Sequence, residues 1–470
     1  MHAPIKTRFA PSPTGLIHLG NARTALFNAL LALRHGGVFL LRIEDTDRER
    51  SRDEYIHALI EDMRWLGLDW QEGEAAGGAQ APYRQSERGT LYEHYYEQLA
   101  RAGRVYPCFC SEQELKLSRK AQLNAGQPPR YSGKCSHLSS DEVAAKVAAG
   151  LRPTLRFRVP KGEEIVFTDG VRGAQRFRSD DIGDFIIRRA DGTPAFFFTN
   201  AVDDALMEVS HVVRGEDHLT NTPRQILLLQ ALGLPVPSYA HISMITGSDG
   251  SPLSKRHGSL GIGELREAGF LPGAVVNHLA RLGHYFGHDD YKELAGLAAE
   301  FETARLAKSP AAHDDGRLLY WQKAALLKAS FEELWEWVGA EVRDRVPAED
   351  AQSFIAALRD NLVMRADALR WAGRLYDEQL ELEQENIEIV QAAGGDFFRH
   401  ALEALTLHGP RFKELADEVK QRSGVKGKAL FMPLRVALTG EQHGPEMGRV
   451  LPLIGMERAR RRLEVWVNTR

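Results

Sequence analysis

His18 and Gly20 flank one residue, directly ahead of a stretch with helical apolar spacing and behind a loop stiffened by Pro11 and Pro13. A helix start presents unpaired backbone N–H groups and the positive end of the dipole, which favour an anion such as phosphate. Gly20 lets backbone approach a ligand, and an imidazole can donate to a phosphoryl oxygen as charge builds there. Alone, so short a motif more often marks an ordinary Pro/Gly turn with a surface histidine. A second signal stands far along the chain. Ser254 and Lys255 follow a Gly- and Ser-rich loop, Thr246 to Leu253. A lysine on such a loop can follow a polyphosphate as its charge shifts. Arg8 and Arg214 each end an expected strand, and a guanidinium matches both oxygens of a carboxylate. Glu44, closing the apolar run from Val38, is a receiver for an ammonium group. The plainer reading of either arginine is an ion pair that ties strand ends together.

Cys108-x-Cys110 is followed by Cys135-x-His137, a donor set of sulfur and nitrogen that tetrahedral zinc accepts; a closed site of this kind is structural. Each pair spans one residue, tighter than the usual spacing, so unrelated buried thiols are the alternative. An odd count of 3 cysteines in a large chain argues against a disulfide framework and for a reducing, cytoplasmic compartment. Basic residues gather at Arg411, Lys413, Lys420, Arg422, Lys426 and Lys428, and again at Arg458, Arg460, Arg461 and Arg462. RNA phosphates could lie along them; charge runs on helices are also commonly just solvated faces.

These groups need elements to carry them. A chain of 470 residues is too long for one core. A net charge of −4 gives no bulk attraction to nucleic acid, so any RNA contact must be local. No apolar run approaches the ~18 residues of a membrane span, and the first residues lack a signal-peptide apolar core. Ala22, Ala25, Leu26, Ala29 and Leu33 share one helix face, stopped by Gly36-Gly37, before a strand over Val38 to Leu41. The pattern is the start of a Rossmann-like parallel sheet, whose ligands gather at the carboxyl ends of strands. Helices are expected over Tyr55–Leu68, Thr90–Gly103 and Asn221–Leu232, and strands over Asp184–Arg189, Ala195–Phe198 and Val209–Val213. Beyond Leu260 the spacing is almost wholly helical. The expected division is a catalytic α/β domain over 1–104 and 191–250, an inserted domain over 105–190, a helical linker over 251–319 carrying the lysine loop, and an all-α domain over 320–470.

His18-Leu19-Gly20-Asn21 and Pro252-Leu253-Ser254-Lys255-Arg256 resemble the two signatures of class I aminoacyl-tRNA synthetases. Thr7 to Gly15, Arg42-Ile43-Glu44-Asp45-Thr46-Asp47 and Arg214-Gly215-Glu216-Asp217-His218 resemble the glutamyl-tRNA synthetases in particular. The resemblance implies a glutamate–tRNA ligase of bacterial type that consumes ATP with Mg²⁺. It implies His18, Gly20 and Lys255 as catalytic residues, with Asp217, Leu219 and Ser254 also at the ATP. It implies Arg8, Ser12, Glu44, Asn200 and Arg214 at glutamate. It strengthens Zn²⁺ at Cys108, Cys110, Cys135 and His137. The implied partners are L-glutamate and tRNA(Glu), with tRNA(Gln) left open; the chain is expected to be monomeric, and the all-α domain to bind the anticodon. Two positions depart from the family pattern. Pro252 replaces the usual first lysine of the second signature, and Phe196 stands where many members carry tyrosine.

Three rivals remain. A truncated relative that glutamylates a tRNA base would lack the C-terminal helices. A small-molecule nucleotidylyltransferase would not need them. A catalytically silent RNA-binding protein would bind tRNA without charging it.

Overall fold

The computed structural model describes residues 4–247, 249–251, 253 and 261–468. The chain forms two compact units, 1–266 with 275–318, and 267–274 with 319–470.

The first unit opens with β1 (Lys6–Phe9), α1 (Leu19–Arg34) and β2 (Val38–Leu41). Helix α1 is almost all Ala and Leu along its buried face, good helix formers that pack closely on a sheet. It stops at Gly36-Gly37, where a Cβ on Gly37 would stand 2.0 Å from the Ile5 carbonyl oxygen. The glycine lets β2 turn straight back beside β1. Strand β3 (Glu72–Gly73) joins the far side of β2, and all these pairings are parallel. Between them α2 spans Asp53–Trp65; α3 spans Gly89–Arg101.

Strand β4 (Val105–Cys108) leaves this sheet for an antiparallel one, ordered β4-β5-β8, with β5 at Thr154–Phe157 and β8 at Phe185–Arg188. Helices α4 (Glu112–Asn124) and α5 (Ser140–Ala148) each start with a serine capping box, and bury no residue fully. The hairpin of β6 (Glu164–Asp169) and β7 (Gly173–Arg178) reaches back to the parallel strands, where Gly170 donates to the Tyr239 carbonyl at 2.8 Å.

The expected strand over Ala195–Phe198 is a helix. The run of phenylalanines suits a strand locally, but Phe196–Leu206 coils so that Asn200, Asp203 and Asp204 are buried against polar partners. Short-range propensity gives way to that buried network. After a four-residue helix at Ser179–Ile182 (α6), this Phe196–Leu206 helix is α7, and α8 covers Thr222–Leu232. Strand β9 (His211–Gly215) pairs in parallel with β10 (Ser238–Ile242) and lies alongside β1, tied by Ser210 N to the Lys6 oxygen at 2.9 Å. Arg8 and Arg214 therefore end neighbouring strands. Residues 275–318 fold with this unit, and β11 (Ile245–Thr246) pairs with β12 (Ala311–Ala312).

The second unit is helical among its described residues, around a core that includes Phe354, Trp371, Phe398, Leu434 and Leu451. Helices over Arg365–Tyr376, Lys428–Thr439 and Met447–Ile454 add to those the spacing indicates. Here the terminal arginines prove structural in part. Arg462 is buried and donates to the carbonyls of Arg374, Leu438 and Asp377; Arg458 donates to those of Leu375 and Ile454. These side chains close helix ends whose carbonyl groups would otherwise lack partners. No described helix is long and apolar enough to cross a membrane.

Candidate active site

Residues 10–18 run from β1 to α1 as a loop pinned by its own carbonyls. Glu44 N donates to Pro11 O at 3.0 Å, and Arg52 N to Pro13 O at 3.1 Å. The prolines surrender their donors, so the loop's acceptors are what the neighbouring strand and helix engage. His18 caps α1. Its Nδ1 accepts from Gly20 N at 3.1 Å, so that nitrogen is unprotonated and Nε2 carries the proton. Enclosure in the cleft lowers the His18 pKa, which favours this neutral donor form. A Cβ on Gly20 would lie 3.0 Å from His18 Cε1 and 3.2 Å from Nδ1. The spacing of the pair thus has a second cause: the glycine makes room for the imidazole that caps its own helix.

The loop forms one wall of a cleft of about 630 Å³, which Arg8, Ser12, His18, Gly20, Glu44, Asn200, Arg214 and Asp217 line. Leu219, partly buried in a 3-10 turn over Glu216–Asn221, is not part of that lining. Ser254 and Lys255 lie outside the described residues, as does Pro252. Leu253 is described and does line the cleft.

The floor is a buried network of charged and polar groups. Arg8 donates to Asp204, Nε to Oδ1 at 3.1 Å and Nη2 to Oδ2 at 3.5 Å. Arg42, fully buried, donates to Asp204 at 2.7 Å and to Glu44 at 3.2 Å. Burial opposes ionisation of Asp204, yet the Arg8 and Arg42 guanidiniums hold its carboxyl below the usual range. Burial pushes Glu44 up, against the pull of Arg42, Arg8 and Asn200, whose amide donates to it at 2.6 Å.

Arg214 is held differently. Its donors meet His241 Nε2 at 3.2 Å, Thr222 Oγ1 at 2.8 Å, Gln225 Oε1 at 2.6 Å and Asn200 Oδ1 at 3.5 Å. Every one of these partners is neutral, and none of the ion pairs among the described residues includes Arg214. Burial lowers its pKa to about 10. The Asp204 and Glu44 charges oppose that shift without a hydrogen bond to Arg214, and a buried cation with no directly paired carboxylate is costly unless a ligand supplies one. His218, beside it, is pushed down to about 4 by burial and then by the Arg214 charge.

Phe196, at the start of α7, packs its ring 5.3 Å from that of His218. It also lines a second, larger hollow of about 900 Å³ under the inserted domain, with Arg119, Arg130, Lys134, Arg156, Arg189 and Arg224. Among the described residues it is common to both linings.

The structure gathers three of the four expected metal donors. The sulfurs of Cys108, Cys110 and Cys135 come within 4.8 Å of one another, but His137 does not join them. It is exposed in the turn that follows, which Ser136 fixes by donating back to the Gly133 carbonyl. A tyrosine hydroxyl occupies the vicinity instead. Tyr131 Oη lies 3.4 Å from Cys108 Sγ and 3.5 Å from Cys110 Sγ, and accepts from Cys135 N at 2.9 Å. Burial raises the Cys108 thiol, but its hydrogen bonds with Tyr131 and Arg156 outweigh it and bring it down to about 7. Thiols gathered this closely, one with an acidified proton, fit a thiophilic ion.

Sequence reasoning missed Asp204, Thr222, Gln225, His241 and Asp169, which surround the two arginines. Asp204 alone carried a legible signal, an acidic pair in an otherwise apolar segment. The others come from separate elements and meet only in the fold.

Residues 4–320 match the family described as tRNA synthetases class I (E and Q), catalytic domain, and residues 329–467 match the anticodon binding domain. The chain is 56% identical over 460 residues to glutamate–tRNA ligase 2 of Nitrosococcus oceani, covering 98% of each. It is 55% identical to glutamate–tRNA ligase 1 of Halorhodospira halophila, covering 98% of this chain and 96% of that one. The crystal structure of a glutamate tRNA ligase from Elizabethkingia meningosepticum, in complex with its amino acid, superposes with a TM-score of 0.91 at 27% identity, over 99% of this chain and 100% of that one. With its parallel-sheet catalytic fold and helical C-terminal unit, the chain belongs to the glutamate–tRNA ligase family of class I tRNA synthetases.

Proposed function

We propose that this chain is a glutamate–tRNA ligase working in two steps. A glutamate α-carboxylate oxygen attacks the α-phosphorus of ATP, the P–O bond to the β-phosphate breaks, and pyrophosphate leaves. A terminal ribose hydroxyl of tRNA(Glu) then attacks the activated carbonyl and AMP leaves. The observation that carries the reading is Arg214, a buried guanidinium whose hydrogen-bond partners among the described residues are all neutral, facing a cleft it shares with Arg8 and Glu44. It takes the side-chain carboxylate of glutamate. Glu44 receives the ammonium group, with Ser12 and Asn200 completing the amino-acid site. At the ATP, His18 Nε2 and the backbone at Gly20 meet the α-phosphate, Asp217 and Leu219 lie toward the adenosine, and Ser254 and Lys255 follow the departing phosphates. Mg²⁺ bound with ATP would offset phosphate charge.

The inserted domain, 105–190, would take the acceptor end through its basic hollow, and the helical unit from about 320 the anticodon. Cys108, Cys110 and Cys135 would hold a structural Zn²⁺, with the Tyr131 oxygen as the nearest further donor. A monomeric, cytoplasmic enzyme fits this reading.

The test is charging with purified tRNA(Glu) and tRNA(Gln) side by side. Glutamate transfer to tRNA(Glu) is expected, and transfer to tRNA(Gln) as well would mark a broader enzyme. No transfer to either, with any amino acid, would overturn the proposal.

A further inference from the structure

Arg214 ends β9, and its guanidinium donates to His241 on the neighbouring strand β10. His241 is completely buried, and its other nitrogen, Nδ1, lies 2.6 Å from Asp169 Oδ2. Asp169 belongs to the inserted hairpin, 72 residues away in sequence, at the end of β6. Its second oxygen, Oδ1, accepts from Val171 N at 2.9 Å, Arg172 N at 2.7 Å and His241 N at 3.2 Å. The carboxylate is thus locked by backbone donors, with one oxygen left for the imidazole.

This arrangement fixes where the imidazole proton sits. An ionised carboxylate only accepts, so His241 Nδ1 carries the hydrogen. Nε2 then offers a lone pair, and two donors converge on it: Arg214 Nε at 3.2 Å and the Thr222 hydroxyl at 3.0 Å. A doubly protonated ring would set an N–H against the Arg214 N–H, and burial lowers the His241 pKa away from that form.

We infer that Asp169 and His241 are positioning residues for the substrate-binding arginine: the inserted hairpin fixes the imidazole tautomer, and that tautomer orients Arg214 without neutralising it. A carboxylate placed directly on Arg214 would compete with the substrate. A neutral acceptor steers the same guanidinium and leaves its charge for the ligand. The hairpin of the inserted domain thereby helps set amino-acid affinity. This rests on the reading that Arg214 takes the glutamate side chain.

Asp169→Asn tests it with an isosteric change. The new amide oxygen must stay where the backbone donors converge, so its NH2 group faces His241 Nδ1. The ring proton is driven to Nε2, against two donors. The expected result is a KM for glutamate raised about ten- to a hundredfold, the loss that follows from an unsatisfied buried donor, with the KM for ATP within about twofold. Nitrogen-15 NMR of histidine-labelled protein, with the His241 signals assigned by their loss in His241→Gln, is expected to show the Nδ1–H tautomer in the unsubstituted enzyme and Nε2–H in the variant. An unchanged KM for glutamate, equal rises for glutamate and ATP, or an Nε2–H or doubly protonated His241 in the unsubstituted enzyme at pH 7 would each overturn the inference. The last measurement needs no variant to remain folded at position 169. Failure of the functional reading looks different: the unsubstituted enzyme would not charge tRNA with glutamate at all, whatever the tautomer.

Discussion

Arg8 and Arg214 end neighbouring strands and line one cleft, yet among the described residues only Arg8 of the two is met by a carboxylate, Asp204 at 3.1 Å. The contrast divides their work. Arg8 is charge-balanced in the folded protein. Arg214 has only neutral hydrogen-bond partners among the described residues, which leaves its donors' charge for the proposed glutamate side chain. Arg214→Gln keeps an amide donor on a shorter side chain, without the charge. The KM for glutamate is expected to rise by about a hundredfold or more, the scale of a lost charge-assisted bidentate contact, with the KM for ATP little changed. Steady-state charging assays with each substrate varied check this.

Gly20→Ala places a methyl group 3.0 Å from the His18 ring. The imidazole must move, and its Nε2 donor moves with it. Misplacing one preorganised donor costs about 10²-fold in rate, so the activation step is expected to slow on that scale while glutamate affinity holds. Single-turnover formation of the adenylate separates the two. An equally fast variant would remove His18 from the phosphate site.

Arg42→Met leaves the buried Glu44 without its arginine partner and Asp204 with Arg8 alone. Breaking a buried ion pair from one side costs about 3–5 kcal/mol. Urea unfolding followed by circular dichroism is expected to show that loss at pH 7. Asp204 also fixes the sign of the pH dependence here. Its folded pKa lies below the ordinary value, so its contribution is present above the unfolded pKa, about 3.9, and is lost as pH falls through the folded one.

Asp62 on α2 shows the opposite sign. Burial raises it to about 6, against the pull of Arg266. Below about pH 4 both folded and unfolded states are protonated. As pH rises toward 6 the unfolded chain ionises first, so the folded state loses stability. Asp62→Asn removes that penalty. Relative to the unsubstituted enzyme, it is expected to gain on the order of 2 kcal/mol between pH 4 and pH 8. Chemical denaturation at both pH values measures the difference.

His137→Ala is expected to leave zinc content unchanged, because the side chain is exposed and stands apart from the thiols. Cys135→Ser is expected to reduce it, since Cys135 Sγ lies 3.7 Å from Cys110 Sγ inside the cluster. Metal analysis of the purified variants decides this, and equal losses from both would restore the histidine as a ligand.

The amino-acid sequence by itself determined the parallel-sheet start, through the apolar face of α1 and its glycine stop, because those signals act over a few residues. It also marked His18, Gly20, Arg8, Glu44 and Arg214, whose chemistry is legible from residue type beside strand and helix ends. Only the tertiary structure decided how these groups are held. Asp204 reaches Arg8 from 196 positions away, and His241 and Thr222 reach Arg214 from other elements. The same limit explains the phenylalanine run that reads as strand and folds as α7, and the Cys-x-His pair whose histidine turns outward. Local propensity and spacing are properties of neighbours along the chain. Burial, counter-ions and the tautomer of a buried imidazole are properties of neighbours in space, and they exist only after the chain has closed around them.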